Sequence, residues 1–423
     1  MDRDSCSSEQ ISPSTDVTGC LIIGGRGAIG LLHASFFIDA QSSVTSSHKS
    51  PQTFKVAVLD RPDLDEEEFS KPCGILREDG SVETIAGNVQ YVNTEGARKF
   101  LRTHQASNTF RRGLIVLVTV KQYQIVQSLS ALVEDIRKFA SCVILLHNGI
   151  RDEKTECWID EHFLAEQVLN AVTSAGATLL TKKEILLLDV SIQHMLHLIV
   201  RPTGSGSMII FPRCDNAIPI KINRALSTVA SSATSMDFVA IPNSRIVSYD
   251  VGTVEQILKL CVNISLNGIL AMMCLEQWYE EFTSTHDPNH ILKSKSKNLV
   301  RRVINKEMNE RIDLACDIAR VVLNRAYLAM QHLQALKKAT KTDEAAIRTR
   351  KALERVPENC CSTVVDICSG RRTEGSALLS VLRQWPQYGD QSSPAQIQTA
   401  IRTIARIDTI LQAWDSQFTH RYV

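Results

Sequence analysis

Apolar residues in the first half of the chain cluster in short runs without alternation. Cys20 to Ile23, Phe54 to Leu59, Leu114 to Val120 and Cys142 to Leu146 are each almost continuously hydrophobic. Runs of this kind suit strands buried on both faces, the pattern of a parallel sheet covered by helices. The stretches between them agree. From Gly27 to Ala40 apolar positions recur at helical spacing, Gln41 to Thr53 is a polar loop, and Gln124 to Phe139 reads as one amphipathic helix. From Val254 the spacing is helical almost throughout. Helices are expected over Val254 to Phe282, Leu299 to Leu336, Ser362 to Ser369 and Ser393 to Phe418. The expected organisation is a polar mobile tail at 1–18, an α/β parallel-sheet domain at 19–247 and an all-α domain at 248–423. The change of period falls within Pro242 to Asp250.

Composition narrows the function classes. The chain has 423 residues, enough for two or three domains, and 44% hydrophobic residues, enough to build their cores. Lys and Arg total 47 against 46 Asp and Glu, and aromatics are 5%, so neither charge nor stacking residues favour a nucleic-acid partner. The Lys/Arg-rich region 290–356 is interleaved with acids and reads as solvated helix faces. The twelve cysteines form no Cys-x-x-Cys pair, so no metal is expected. Cys142 and Cys261 sit in apolar runs as small buried hydrophobes, which suits a reducing compartment. The N-terminal segment has no apolar signal core. The most apolar stretch, Ile257 to Leu275, carries Lys259, Asn263 and Asn267, poorly suited to a bilayer. The expectation is a cytoplasmic protein without a membrane partner, a mitochondrial location being the second reading.

Two motifs carry chemistry. Gly25-Arg26-Gly27-Ala28-Ile29-Gly30 fits G-x-G-x-x-G between an apolar strand and a helix. There the first glycine permits a tight turn, the second lets backbone approach a pyrophosphate, and the third allows close helix–sheet packing. The helix N-terminus attracts the phosphates. The next strand ends in Asp60-Arg61, where a ribose-reading residue belongs. Further on, Lys259, Asn263 and Asn267 are spaced i, i+4, i+8 on an otherwise apolar helix. They read either as a solvent-facing stripe or as a site. The positions that should flank an exposed stripe include Leu260 and Leu270, which speaks against the stripe. An ammonium ringed by amides suits a carbonyl substrate whose oxygen gains charge.

Three more segments complete a pattern. Val118-Thr119-Val120-Lys121-Gln122-Tyr123-Gln124 puts a lysine after a strand. Asn148-Gly149 closes the next one. Ser362-Thr363-Val364-Val365-Asp366 precedes Gly370-Arg371-Arg372-Thr373-Glu374. With the glycine turn and the Lys-x3-Asn-x3-Asn helix, in this order over most of residues 20–410, the chain resembles the ketopantoate reductase (2-dehydropantoate 2-reductase) family. The resemblance implies an N-terminal Rossmann domain and an all-α C-terminal domain, the two-domain architecture of 6-phosphogluconate dehydrogenase-like proteins. NADP and a 2-keto acid would meet in the cleft. It implies that Gly25, Arg26, Gly27, Ala28, Ile29, Gly30, Arg61, Lys121 and Asn148 bind the cofactor. Asn263, Asn267, Ser362 and Lys121 would hold substrate, and Lys259 and Glu374 would be catalytic. Thr373 reads as the N-cap that sets Glu374 at a helix N-terminus.

The implied activity is NADPH-dependent reduction of ketopantoate to pantoate, for pantothenate and coenzyme A synthesis, by a monomer or homodimer. The alternatives are a paralogue acting on another 2-keto acid and a non-catalytic NADP(H)-binding sensor. A sensor needs none of Lys259, Asn263, Asn267, Ser362 or Glu374. The chain departs from the family pattern at Arg151, where a glycine is common, and at Gly268, where a proline is frequent. Gln277 stands near a family asparagine, and Gly375-Ser376 follows the glutamate without a further acid. These departures bear on the substrate more than on the reaction.

Overall fold

The computed structural model describes residues 17–25, 27–43, 53–59, 72–85, 89–107, 113–174, 176–180, 182–188, 196, 198–202, 207–227, 244–278, 308, 311–355, 362–368, 370–389 and 393–418. The apolar runs become the centre of one sheet. Its strands are β1 (Val17–Ile23), β2 (Thr53–Leu59), β5 (Val89–Val92), β6 (Gly113–Val118), β7 (Cys142–Leu146), β8 (Val168–Thr173), β11 (Met208–Pro212) and β12 (Arg245–Ile246). They lie in the order β12-β11-β8-β7-β6-β1-β2-β5. All pairings are parallel except β11 with β8. A second sheet, β4-β3-β10-β9, is built from β3 (Cys73–Leu76), β4 (Val82–Ile85), β9 (Ala177–Leu179) and β10 (Ile199–Pro202).

Both faces of the large sheet are covered, which is why its strands lack alternation. On one face α1 (Ala28–Ser43) packs against β2, with Phe37 edge-on to Phe54 at 5.3 Å between ring centroids. The other face carries α2 (Thr94–Ser107), α3 (Ile125–Ser130), α4 (Val133–Phe139) and α5 (Glu153–His162). Where one helix was expected over Gln124 to Phe139, the chain breaks at Ala131-Leu132 into α3 and α4. Leu132 has left helical geometry there, and its buried side chain fills the core.

The chain runs from β1 outward to β2 and β5, then returns to the other side of β1 as β6. This reversal opens a crevice at the carboxyl ends of β1 and β6. The register brings those ends level: Ile23 lies opposite both Leu59 and Val118, and Val118 opposite Leu145.

Beyond β12 the described elements are helical: α6 (Tyr249–Val262), a π-turn (Asn263–Asn267), α7 (Gly268–Met273), a second π-turn (Cys274–Trp278), α8 (Ile312–Ala329), α9 (Gln334–Lys341), α10 (Glu344–Arg355), α11 (Ser362–Cys368), α12 (Gly375–Gln384) and α13 (Ala395–Ser416). They share one core, which includes Ile257, Cys261, Ile318, Leu382, Ile407 and Leu411. Tyr249–Glu276 is long and apolar enough to cross a membrane, but 78% of its most apolar window is buried inside the protein. It is therefore the central helix of this core. Three of its charged residues are tied to neighbours: Glu255 pairs with Arg348 of α10 at 2.6 Å, Glu276 with Arg406 of α13 at 2.5 Å, and Lys259 donates to Thr173 O. Cys20, Cys142 and Cys261 are buried, and burial pushes their thiols up.

Candidate active site

The glycine turn leaves β1 at Gly24, whose φ of 80° suits a glycine and which the motif count did not include. Its carbonyl accepts from Gly27 N at 3.0 Å and from the Thr119 hydroxyl at 3.2 Å. A Cβ on Gly30 would stand 2.5 Å from both Gly24 O and Gly25 Cα, so only glycine lets α1 start this close to the turn. A Cβ on Gly25 would meet Val58 Cγ1 at 2.3 Å. Ala28 and Ile29 form the first helical positions with Gly30. No acid occupies this first turn, so its N–H groups face no like-charged competitor for an anion. Arg26, Asp60 and Arg61 lie outside the described residues.

Along the same sheet edge, Lys121 follows β6 and Asn148 follows β7, and both reach the helical half. Lys121 Nζ donates to Asp366 Oδ2 of α11 at 2.5 Å and to Arg372 O at 3.2 Å. Asn148 Nδ2 donates to Glu374 Oε2 at 3.0 Å, and Gln122 N donates to Glu374 Oε1 at 3.3 Å. Glu374 is buried, and that burial pushes its carboxyl up; the Asn148 amide, Gln122 N–H, Lys121 and Lys259 oppose the rise.

Glu374, rather than Thr373, is the N-cap residue of α12, and its carbonyl takes the first intrahelical bond from Leu378 N. Thr373 supports it one position earlier: its hydroxyl accepts from Gly375 N at 3.1 Å and donates to Asp415 of α13 at 3.0 Å. A hydroxyl can serve both bonds, which is why the cap signal appeared one residue early.

Lys259 projects from α6 back to the sheet. Its Nζ donates to Thr173 O, at the end of β8, at 2.6 Å. Burial pulls the ammonium down to about 8, and Glu374 partly restores it. With one N–H so used, two remain for another acceptor. Asn263 and Asn267 bound the π-turn one and two steps further along. They line a small cavity with Thr363, Gly375, Leu378 and Leu411. Ser362 is exposed at the start of α11, and its neighbour Thr363 is the residue that reaches the cavity wall.

The structure therefore puts Asn148 in direct contact with Glu374 and sets Lys121 and Lys259 near enough to act on that carboxyl, while Asn263 and Asn267 line a small cavity that also touches Gly375. Gln122, Thr173 and Asp366 hold these groups without having been assigned roles from the sequence. Toward Glu374 and Lys259, Gln122 and Thr173 use a backbone N–H and a backbone carbonyl, groups every residue carries, so these two contacts gave no signal in the sequence.

No protein of curated function matches this sequence. Among solved structures, the chain resembles D-mandelate dehydrogenase in complex with NADH, with a TM-score of 0.54, 13% identity, and 94% of this chain and 99% of that one covered. It also resembles a PanE/ApbA family ketopantoate reductase from Ralstonia eutropha JMP134, with a TM-score of 0.50, 15% identity, and 94% and 99% covered. At these identities the likeness concerns the fold: a parallel-sheet domain followed by a helical one. Residues 21–194, which hold the glycine turn, Lys121 and Asn148, match the model described as ketopantoate reductase PanE/ApbA.

Proposed function

We propose that the protein is an NADPH-dependent reductase of a 2-keto acid, with ketopantoate as the first candidate substrate. The observation that carries this reading is the desolvated ammonium of Lys259, tied to the end of β8 at Thr173 and within electrostatic reach of Glu374, the partner of Asn148. A dinucleotide suits the glycine turn: the absence of a side chain at Gly30 lets α1 start against the turn, Gly27 has only Gly24 O within 4 Å of where a Cβ would stand, and the first turn of α1 carries no acid to oppose a phosphate. When bound, the reduced nicotinamide supplies a hydride to the keto carbon. The chain's own residues do the rest. Lys259 stabilises the charge that grows on the substrate oxygen and gives it a proton, leaving a neutral amine that is reprotonated from solvent. Glu374 keeps the ammonium charged against its desolvation. Asn263, Asn267 and Ser362 are the residues assigned to the substrate's polar groups, and Lys121 the one assigned to the cofactor side. The test is NADPH oxidation by the purified chain across a panel of 2-keto acids that includes ketopantoate. Turnover of none of them would end the reading.

Substrate grip and cofactor choice can be tested separately. Asn263→Ala should raise KM for the keto acid with little effect on NADPH affinity, by about 1–3 kcal/mol for a lost buried hydrogen-bonded group. Steady-state kinetics with each substrate varied in turn will read this; unchanged constants would place the substrate elsewhere. Asp60 and Arg61 directly follow Leu59 in the sequence, the last residue of β2. Arg61 is the residue to pair with the 2′-phosphate of NADP, and Asp60 the one to accept from a free ribose hydroxyl. Arg61→Ala should weaken NADPH binding in a fluorescence titration and leave NADH almost unchanged. A wild type that prefers NADH, and loses that preference in Asp60→Ala, would make Asp60 the reader.

A further inference from the structure

The strand end that presents Asn148 is held more firmly than the catalytic reading requires. Three consecutive carbonyls each accept from a different side chain. His147 Nδ1 donates to Asn148 O at 3.0 Å, Gln256 Nε2 to Gly149 O at 2.7 Å, and Gln122 Nε2 to Ile150 O at 3.1 Å. The backbone also turns through φ 76° at Gly149, where a Cβ would stand 2.4 Å from Leu378 Cδ2. Of the three clamps, the one at Asn148 itself depends on the protonation of a histidine ring.

That protonation is decided by Arg151. Its Nη1 lies 2.7 Å from His147 Nε2, and a guanidinium can only donate. Nε2 is therefore the acceptor, the ring proton sits on Nδ1, and Nδ1–H points at a carbonyl that can only accept. Behind the histidine, Arg151 Nη2 pairs with Glu156 Oε1 of α5 at 2.6 Å. Arg213, just after β11, pairs with Glu156 Oε2 at 2.5 Å and with Asp160 at 2.9 Å. Arg151 and His147 are 5% and 6% exposed, so solvent cannot substitute for either partner.

We propose that Arg151 and His147 form a buried positioning device, which holds the Asn148 backbone by locking the imidazole as its neutral Nδ1–H tautomer and so aims the Asn148 amide at Glu374. The catalytic consequence rests on the reductase reading; the tautomer does not. Two cations face the ring, Arg151 from its own loop and Lys259 from α6, while Glu156, Asp160 and Arg213 lie beyond Arg151. Burial first, and the Arg151 and Lys259 charges after it, push the imidazole down to about 3. A neutral ring leaves Lys259 without an extra like charge beside it. Position 151 is one where the resemblance leads to a glycine, which could supply neither the donor to Nε2 nor the pair with Glu156.

The experiment is nitrogen-15 NMR on the histidine-labelled full chain, with the His147→Gln spectrum assigning the signal. The expected result is an Nδ1–H imidazole that stays neutral from about pH 5 to about pH 8, where an ordinary histidine titrates near 6.5. In Arg151→Met the same ring should titrate measurably closer to the ordinary value and lose its single tautomer. Kinetically, Arg151→Met should lower kcat about tenfold with KM for NADPH unchanged. It should cost little further in an Asn148→Ala background, because coupled residues are not additive. Arg151→Lys, which keeps a donor for Nε2, should restore most of kcat and serves if the Met variant folds poorly. A wild-type His147 that titrates near 6.5 or carries its proton on Nε2 would overturn the proposal, as would an Arg151→Met loss of equal size in both backgrounds. The NMR result stands even if no keto acid is turned over, so failure of the reductase reading is a separate outcome.

Discussion

Lys259→Ala should lower kcat by about 10²- to 10⁴-fold, the range for loss of a general acid, with NADPH affinity little changed. The magnitude follows from the group's chemistry: the buried ammonium is held at 2.6 Å by Thr173 O, which leaves two of its three N–H groups for a substrate oxygen. A pH dependence comes with it. Burial brings Lys259 down to about 8 from its ordinary value of 10.5. In the proposed reaction the protonated form is the proton donor for reduction, so the rate should be flat on the acid side of that midpoint. It should fall as pH rises through about 8, tenfold per unit beyond it. The sign reverses for oxidation of the hydroxy acid, where the neutral amine is the base. Pre-steady-state reduction across this range measures both. A Lys259→Ala enzyme with near-normal turnover, or a wild-type limb at 10 or above, would remove Lys259 from the chemistry.

The sheet was legible because each of its central strands is buried on both faces, so composition alone marked Cys20–Ile23 and Cys142–Leu146. Edge elements such as Arg245–Ile246, two residues long and partly exposed, carry no such signal. Gly24 escaped the motif because the pattern counts Gly25, Gly27 and Gly30, whereas the positive φ falls one residue before them.

The Lys259, Asn263 and Asn267 stripe was visible as a spacing, but its geometry was not. In an uninterrupted α-helix, position i+8 drifts about 80° from i. The π-turn over Asn263–Asn267 turns less per residue and takes back part of that drift, so both asparagines reach one cavity. Nothing in the local sequence announces a π-turn. Asp366 was visible within its motif, yet its role as partner of Lys121 depends on a contact 245 residues away in the chain. Long-range pairings of this kind are invisible to periodicity. They appeared here only as a family resemblance, and the structure supplies their physical content.

Glu374→Gln should reduce kcat about 10²-fold at neutral pH and move the Lys259 limb to lower pH. The carboxylate does two things at once. It accepts from Asn148 Nδ2 and Gln122 N, and its charge raises the Lys259 ammonium against desolvation. Glutamine keeps the shape and one acceptor, so Gln122 N–H remains satisfied. Its own amide then faces the Asn148 amide, and one of the two must turn for an oxygen to accept. The charge, however, is lost outright. With burial now unopposed, Lys259 drops below its present value of about 8, less of it is protonated at pH 7.5, and the descending limb shifts acidward. Part of the lost rate should therefore return on lowering the pH, a recovery that a purely structural defect at this buried position would not show. Glu374→Ala should be worse than Glu374→Gln, because it orphans both Asn148 Nδ2 and the buried Gln122 N–H, at about 1–3 kcal/mol each. The decisive measurement is the kcat profile of Glu374→Gln against wild type. A limb that stays in place while kcat falls would separate Glu374 from Lys259 and leave the carboxylate a role in substrate positioning alone.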